Sequence, residues 1–230
     1  MRLTRRTGLL AAASATVAPL LALVRAEAAA PQVRVTGFEL LPIRATSRTV
    51  WLIVRLRTDT GLVGLGEASD AFGFANTTAD DAARMQSQLA TFFDLINGRS
   101  PFEIESYRQR GEAMARQGLV PATAFSAIEQ ALWEALRWLT GTDALRGDGR
   151  GREVAPHNPS GPVSTAASVQ VCAGMKNVNY LELQYGEVGW RSDSLVPAER
   201  FMNGTIQVPE RPGFGIELNE AVIRARSLPL

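Results

Sequence analysis

The sequence predicts an α+β domain followed by a fragment of a parallel α/β barrel. Three observations predict it. A run of alternating apolar residues near position 50 is followed by a tight turn and a second extended run. Three segments with helical periodicity and well-formed caps come next. After a Gly- and Arg-rich stretch, a single strand–loop–helix–strand pattern closes the recognisable structure. Sheet first and helices second is the α+β order, whereas strand, helix and parallel strand form the unit from which barrels are built.

Residues 1–30 stand apart from the fold. Thr4-Arg5-Arg6-Thr7-Gly8-Leu9-Leu10 is a twin-arginine pattern, an apolar run covers residues 9–24, and Ala26-Glu27-Ala28 and Ala28-Ala29-Ala30 are small-residue cleavage sites. A positive start, a short apolar centre and an A-x-A end make an export signal. The run is interrupted by Pro19 and is shorter than the ~18–20 residues of a spanning helix. We therefore expect twin-arginine export, a periplasmic location, and no membrane contact after cleavage.

The sheet begins at residue 33. Residues 33–44 read as a strand broken at Pro42. In residues 50–57, Val50, Leu52, Val54 and Leu56 alternate with Trp51, Ile53, Arg55 and Arg57, which predicts a strand with one face more buried than the other. Thr58-Asp59-Thr60-Gly61 supplies turn chemistry, and residues 62–68 return as a third strand. An antiparallel meander is the economical arrangement.

The helices follow. Thr78 caps a helix starting at Ala79, with Ala82, Met85, Leu89, Phe92 and Phe93 at helical spacing and Asn97-Gly98 ending it. Ser100-Pro101-Phe102-Glu103 is a capping box with proline at the first helical position. A third helix is expected over residues 122–140, on a stripe of Phe125, Ile128, Leu132, Leu136 and Leu139, closed by Gly141.

Residues 142–152 carry glycine and charge without apolar period and read as linker. Beyond them we expect a short strand ending at Ala155, the loop Pro156-His157-Asn158-Pro159-Ser160-Gly161-Pro162, a helix over residues 163–175 and a strand over residues 180–183. Residues 201–218, with Pro209, Pro212 and several glycines, read as loop and short extended structure.

Composition narrows the function classes. The 230 residues are 46% hydrophobic and 20% charged with a net charge of +1, an ordinary globular balance that gives no nucleic-acid footprint. Cys172 is the single cysteine, so the fold stands without an internal disulfide; it reads as a small buried hydrophobe on a helix.

Several motifs, in order along the chain, resemble one family. Val35-Thr36-Gly37-Phe38-Glu39, Gly61-Leu62-Val63-Gly64-Leu65-Gly66-Glu67-Ala68 and Phe125-Ser126-Ala127-Ile128-Glu129-Gln130-Ala131-Leu132-Trp133 look like the capping domain of the mandelate racemase and muconate lactonizing enzymes of the enolase superfamily. Ala155-Pro156-His157-Asn158-Pro159-Ser160-Gly161-Pro162 resembles the end of the seventh barrel strand in its acid-sugar dehydratases, of the galactonate dehydratase type. Leu181-Glu182-Leu183-Gln184-Tyr185-Gly186-Glu187 resembles the eighth strand, and Pro209-Glu210-Arg211-Pro212-Gly213-Phe214-Gly215-Ile216-Glu217 the segment that closes back on the cap.

Behind the export signal at 1–30, the resemblance implies a capping domain at 31–141, a deletion junction at 142–152 and a TIM-barrel remnant at 153–230. It also implies chemistry: abstraction of a proton α to a carboxylate, with the enediolate held on Mg²⁺, in the dehydration or racemisation of hydroxy or sugar acids. His157 matches the family's acid/base histidine. Glu182 matches the strand-eight glutamate that bonds the substrate carboxylate, with Glu187 as a nearby alternative. The cap loops at 45–49 and 72–77 are the candidate specificity segments.

A complete barrel takes roughly 250 residues, about thirty per unit, whereas 79 residues run from Arg152 to Leu230. The metal-bearing central strands are therefore expected to be absent. Between positions 142 and 187 the acids are Asp143, Asp148, Glu153, Glu182 and Glu187, which do not form the oxygen cage that magnesium takes. The expectation is no metal ligand, the loss of the charged partner that orients this histidine in the family, and no catalysis by this chain alone. The two leftover strands should expose edges able to pair with another copy or a full-length paralogue. The tail should dock on the cap through Phe214 and Ile216.

Overall fold

The computed structural model describes residues 32–69, 71–72, 77–140 and 155–229. The expectations for the export signal, the linker and the strand before Ala155 fall outside these residues, apart from Ala155 itself.

Strands β1 (Val35–Arg44), β2 (Val50–Thr58) and β3 (Val63–Glu67) form the antiparallel meander in the order β1-β2-β3. The β2–β3 turn closes with the Thr58 amide donating to the Leu62 carbonyl at 3.1 Å, and Gly61 takes φ +81°, a left-handed conformation that favours glycine. Strand β1 is not broken at Pro42. It runs on to Arg44, with Pro42 opposite Leu52. The reason is that β1 is an edge strand: the Pro42 carbonyl accepts from the Leu228 amide at 2.8 Å, so the missing proline N–H faces outward, away from β2.

The more buried face of β2 is the one expected, Val50, Leu52, Val54 and Leu56; on the other face Arg55 is half-buried and Arg57 exposed, but Trp51 and Ile53 are buried as well. Val50, Leu52, Val54 and Leu56 enter one core cluster with Met85, Leu89, Phe92 and Ile128. Trp51 and Ile53, equally inaccessible, enter a second cluster with Val163, Leu195, Phe214 and Ile216. The sheet is therefore covered by helices on one side and by the C-terminal segment on the other, and Phe214 and Ile216 dock as expected.

Helix α1 (Ala79–Phe93) starts at the Thr78 cap, reciprocated by the Asp81 carboxylate. Ser100 and Glu103 form the second capping box around a 3₁₀ turn that leads into α2 (Ile104–Ala115). Helix α3 (Leu119–Thr140) begins three residues earlier than expected, taking Pro121 into its first turn. Its most buried face also differs. Ala124, Ala127, Ala131 and Ala135 join Ile128 and Leu132 against the sheet, while Phe125, Leu136 and Leu139 are half-buried. Small residues line that face because β3 presents Gly64 and Gly66 to it, and the helix backbone comes down onto them.

The second part holds β4 (His157–Asn158), α4 (Pro162–Gly174) and β5 (Glu182–Leu183), with β4 and β5 parallel. His157 and Asn158, expected in a loop, are therefore the residues that form the strand. Cys172 lies on α4 but is half-buried, not buried, and partial burial pushes its thiol pKa up. The tail adds two short pairings: β6 (Leu195–Val196) with β9 (Glu217–Leu218), and β7 (Phe201–Met202) with β8 (Thr205–Ile206). It also adds an unanticipated helix, α5 (Glu220–Arg224), and a bridge from Ser227 to Ile43 that covers the β1 edge.

Candidate active site

Strands β4 and β5 are two residues each, yet they place the two candidate residues together. His157 lies directly opposite Glu182 in the parallel register, and the Glu182 amide donates to the Pro156 carbonyl at 2.9 Å. Opposed residues on neighbouring strands project to the same face of a sheet. The His157 Nδ1 and Glu182 Oε2 accordingly sit 3.0 Å apart. A carboxylate only accepts, so a proton on Nδ1 would face Glu182 and leave Nε2 as the acceptor of a neutral ring. Glu182, expected to bond a substrate carboxylate and not to partner His157, stands beside the ring because of a register pairing across 25 positions of sequence. Glu187 lies beyond β5 and makes no such pair.

Both side chains are open to solvent, His157 at 64% and Glu182 at 60% exposure, so their mutual attraction is screened and modest. Next to Glu182, Leu183 borders an open groove of about 410 Å³ that Tyr185, Arg191, Arg200 and Phe201 also line. The cap loop at 45–49 is a tight turn in which the Thr46 hydroxyl accepts from the Arg48 and Thr49 amides. Most of the 72–77 loop lies outside the described residues.

The arrangement does not fit magnesium. The ion demands near-octahedral oxygen ligation, whereas the pair offers one imidazole nitrogen and one carboxylate. Among the described residues no three histidine, cysteine or acidic side chains lie close enough to share an ion. Asp143, Asp148 and Glu153 are outside the described residues.

Behind the pair lies a buried polar cluster that sequence reasoning missed. Glu67, at the end of β3 and 3% exposed, accepts from the Gly161 amide at 2.5 Å, the Val163 amide at 3.0 Å and the Ser164 amide at 2.9 Å, and from the Ser69 hydroxyl. Burial raises its pKa, and these donors and the Arg191 charge oppose the rise. Arg191 donates to the Ser160 carbonyl at 3.1 Å and the Thr165 hydroxyl at 2.7 Å, pairs with Glu199 at 3.0 Å and lies over the Trp51 ring. The signal for Glu67 was its place in Gly64-Leu65-Gly66-Glu67, a charged residue ending an otherwise buried strand; nothing in the sequence marked Arg191.

A helix-covered meander joined to two adjacent parallel strand ends is the arrangement of a capping domain followed by a fragment of an α/β barrel. The comparisons are specific. Residues 29–141 match the mandelate racemase / muconate lactonizing enzyme N-terminal domain, and residues 144–222 match the enolase C-terminal domain-like family. The chain belongs to the mandelate racemase/muconate lactonizing enzyme family of the enolase superfamily.

The D-xylonate dehydratase of Haloferax volcanii is 38% identical over 72 residues, which are 31% of this chain and 18% of that enzyme. The match thus spans less than a fifth of that relative's length. A mandelate racemase/muconate lactonizing enzyme structure from a Sulfitobacter species aligns at TM-score 0.65 and 14% identity, covering 84% of this chain and 95% of the other. A protein of Burkholderia xenovorans strain LB400, provisionally described as an L-alanine-DL-glutamate epimerase and bound to magnesium and fumarate, aligns at TM-score 0.66 and 14% identity, covering 84% and 96%. At such identity these structures share the fold.

Proposed function

We propose that this chain is an internally truncated acid-sugar dehydratase-type protein that keeps the acid/base half of its site, His157 and Glu182, and does not turn over substrate alone. The observation that carries this reading is the 3.0 Å pairing of the two side chains on adjacent parallel strand ends, beside donors that do not suit magnesium. Nε2 of His157 is the group positioned to take or return a proton. Glu182 orients the ring through Nδ1 and keeps its second oxygen for a substrate carboxylic acid or hydroxyl. The substrate class is a small hydroxy or sugar acid, by analogy with the D-xylonate dehydratase relative. The decisive test is incubation of the purified full chain with a panel of sugar acids and magnesium. No dehydration, together with no magnesium binding by calorimetry, is the expected result; metal-dependent turnover overturns it.

A second reading is favoured by the two-stranded β4–β5 sheet, flanked by exposed Tyr180 and Tyr185. Here the chain pairs through that sheet with another copy or a full-length paralogue. Light scattering that shows a monomer with and without added paralogue rules it out. We also propose twin-arginine export, which a reporter fused behind residues 1–30 tests by its compartment and by its loss when Arg5 and Arg6 are changed to lysine.

A further inference from the structure

We infer that Glu67 of the cap is a positioning residue for the His157–Glu182 pair, clamping the turn that carries His157. The inference rests on the pair's being the acid/base site proposed above. The turn of residues 159–161 joins β4 to α4, so the direction in which His157 leaves its strand depends on where that turn is held. Helix α4 has 13 residues and begins at Pro162, and its N-cap residue, Gly161, offers no side-chain cap. The free amides at its start are taken instead by Glu67, 94 to 97 positions earlier in the chain. A buried carboxylate at a helix N-terminus satisfies donors that would otherwise be unpaired and sits favourably in the helix dipole.

The fit leaves no slack. A Cβ on Gly161 would overlap Glu67 Oε1 and would lie 2.8 Å from Trp51 Cγ, so the turn backbone rests directly on β2 and β3. The other side of the turn is held as well. Asn158, the residue after His157, donates from Nδ2 to the Thr165 hydroxyl at 3.1 Å and accepts from the Ser160 amide at 3.2 Å, while Arg191 holds the Ser160 carbonyl. His157 is solvent-exposed and is not gripped by packing. Its ring is set by its backbone and by Glu182, and Glu67 sets that backbone.

His157 is the only histidine in the sequence, so its imidazole nitrogens can be read by ¹⁵N spectroscopy of the full chain without assignment. The wild-type ring should show one dominant tautomer, protonated at Nδ1, at a pH where it is neutral. Glu182→Ala should lose that dominance, which tests the pair. Glu67→Ala should lose it too, giving a mixture of tautomers while the helical circular dichroism of the cap is retained. Glu67→Gln keeps the shape and one acceptor oxygen, and should fall between the two. A folded Glu67→Ala chain with the wild-type spectrum, beside a changed Glu182→Ala spectrum, overturns the positioning role and leaves the pair standing. An unchanged Glu182→Ala spectrum overturns the pair and the positioning role with it. Should Glu67→Ala fail to fold, hydrogen exchange of the wild-type chain decides: slow exchange at the Gly161, Val163 and Ser164 amides supports the clamp, and free exchange there overturns it.

Discussion

Gly64 of β3 lies directly beneath the backbone carbonyl of Ala131 on α3, with no room between them for a methyl group. Gly66 meets Ala127 in the same way one turn back along the helix. The contact is backbone to backbone, so no side chain can move aside. Gly64→Ala should destabilise the chain by about 1–3 kcal/mol or more, and Gly66→Ala similarly. Gly37, with open space around its Cβ position, should tolerate alanine far better. Urea unfolding of the three variants checks the contrast.

Glu134 on α3 is 1% exposed, and burial pushes its pKa up from 4.5 to about 8, against the hydrogen bonds it accepts from the Leu65 and Phe214 amides. A carboxyl whose folded pKa is raised binds its proton more tightly when folded than when unfolded. Stability should therefore fall as pH rises from 4.5 towards 8, and level off above it. The contribution is bounded by ~5 kcal/mol at about 1.36 kcal/mol per pKa unit. Glu67, raised in the same direction, adds to the slope. Glu134→Gln should flatten the dependence, as measured by thermal unfolding at a series of pH values.

Arg191 and Glu199 form an ion pair with side chains only 9% and 5% exposed. Removing one partner strands the other charge in the interior. Arg191→Met should cost about 3–5 kcal/mol and should also loosen the Ser160 turn. Glu199→Gln should cost less, because burial already raises the Glu199 pKa and an amide can still accept from the guanidinium. Denaturant unfolding ranks the two.

A ligand that binds the folded state raises its stability in proportion to the logarithm of its concentration. With no three acids sharing a site among the described residues, millimolar magnesium should leave the unfolding midpoint of this chain unchanged, and chelator should do the same. A midpoint that climbs with magnesium concentration would show a metal site.

Much of the cap was legible in the sequence, because the signals there are local. Thr78 and Ser100 declare their helices by capping chemistry within four residues. Gly61 declares its turn, and the alternation from Val50 to Leu56 declares its strand. His157 and Glu182 could be singled out only through their motif surroundings. The sequence did not show that they touch, since the contact arises from a register between two-residue strands. The depth of burial of Trp51 and Ile53, on the less buried face of β2, went unread for a related reason. Alternation says which residues share a face, not what a segment more than a hundred residues later will lay across it. Glu67 and Arg191 act on partners tens of residues away and left no periodic trace.

The meander and helices of the cap, with their caps and turns, were determined by the sequence alone, since each depends on interactions within a few residues, and His157 and Glu182 were picked out by the family resemblance of their surroundings. Tertiary structure alone decided the burial of Trp51 and Ile53, the seating of α4 on the Glu67 carboxylate and the meeting of His157 with Glu182. Those depend on desolvation and on hydrogen bonds between distant segments, whose strength is set only once folding has brought them together and excluded water.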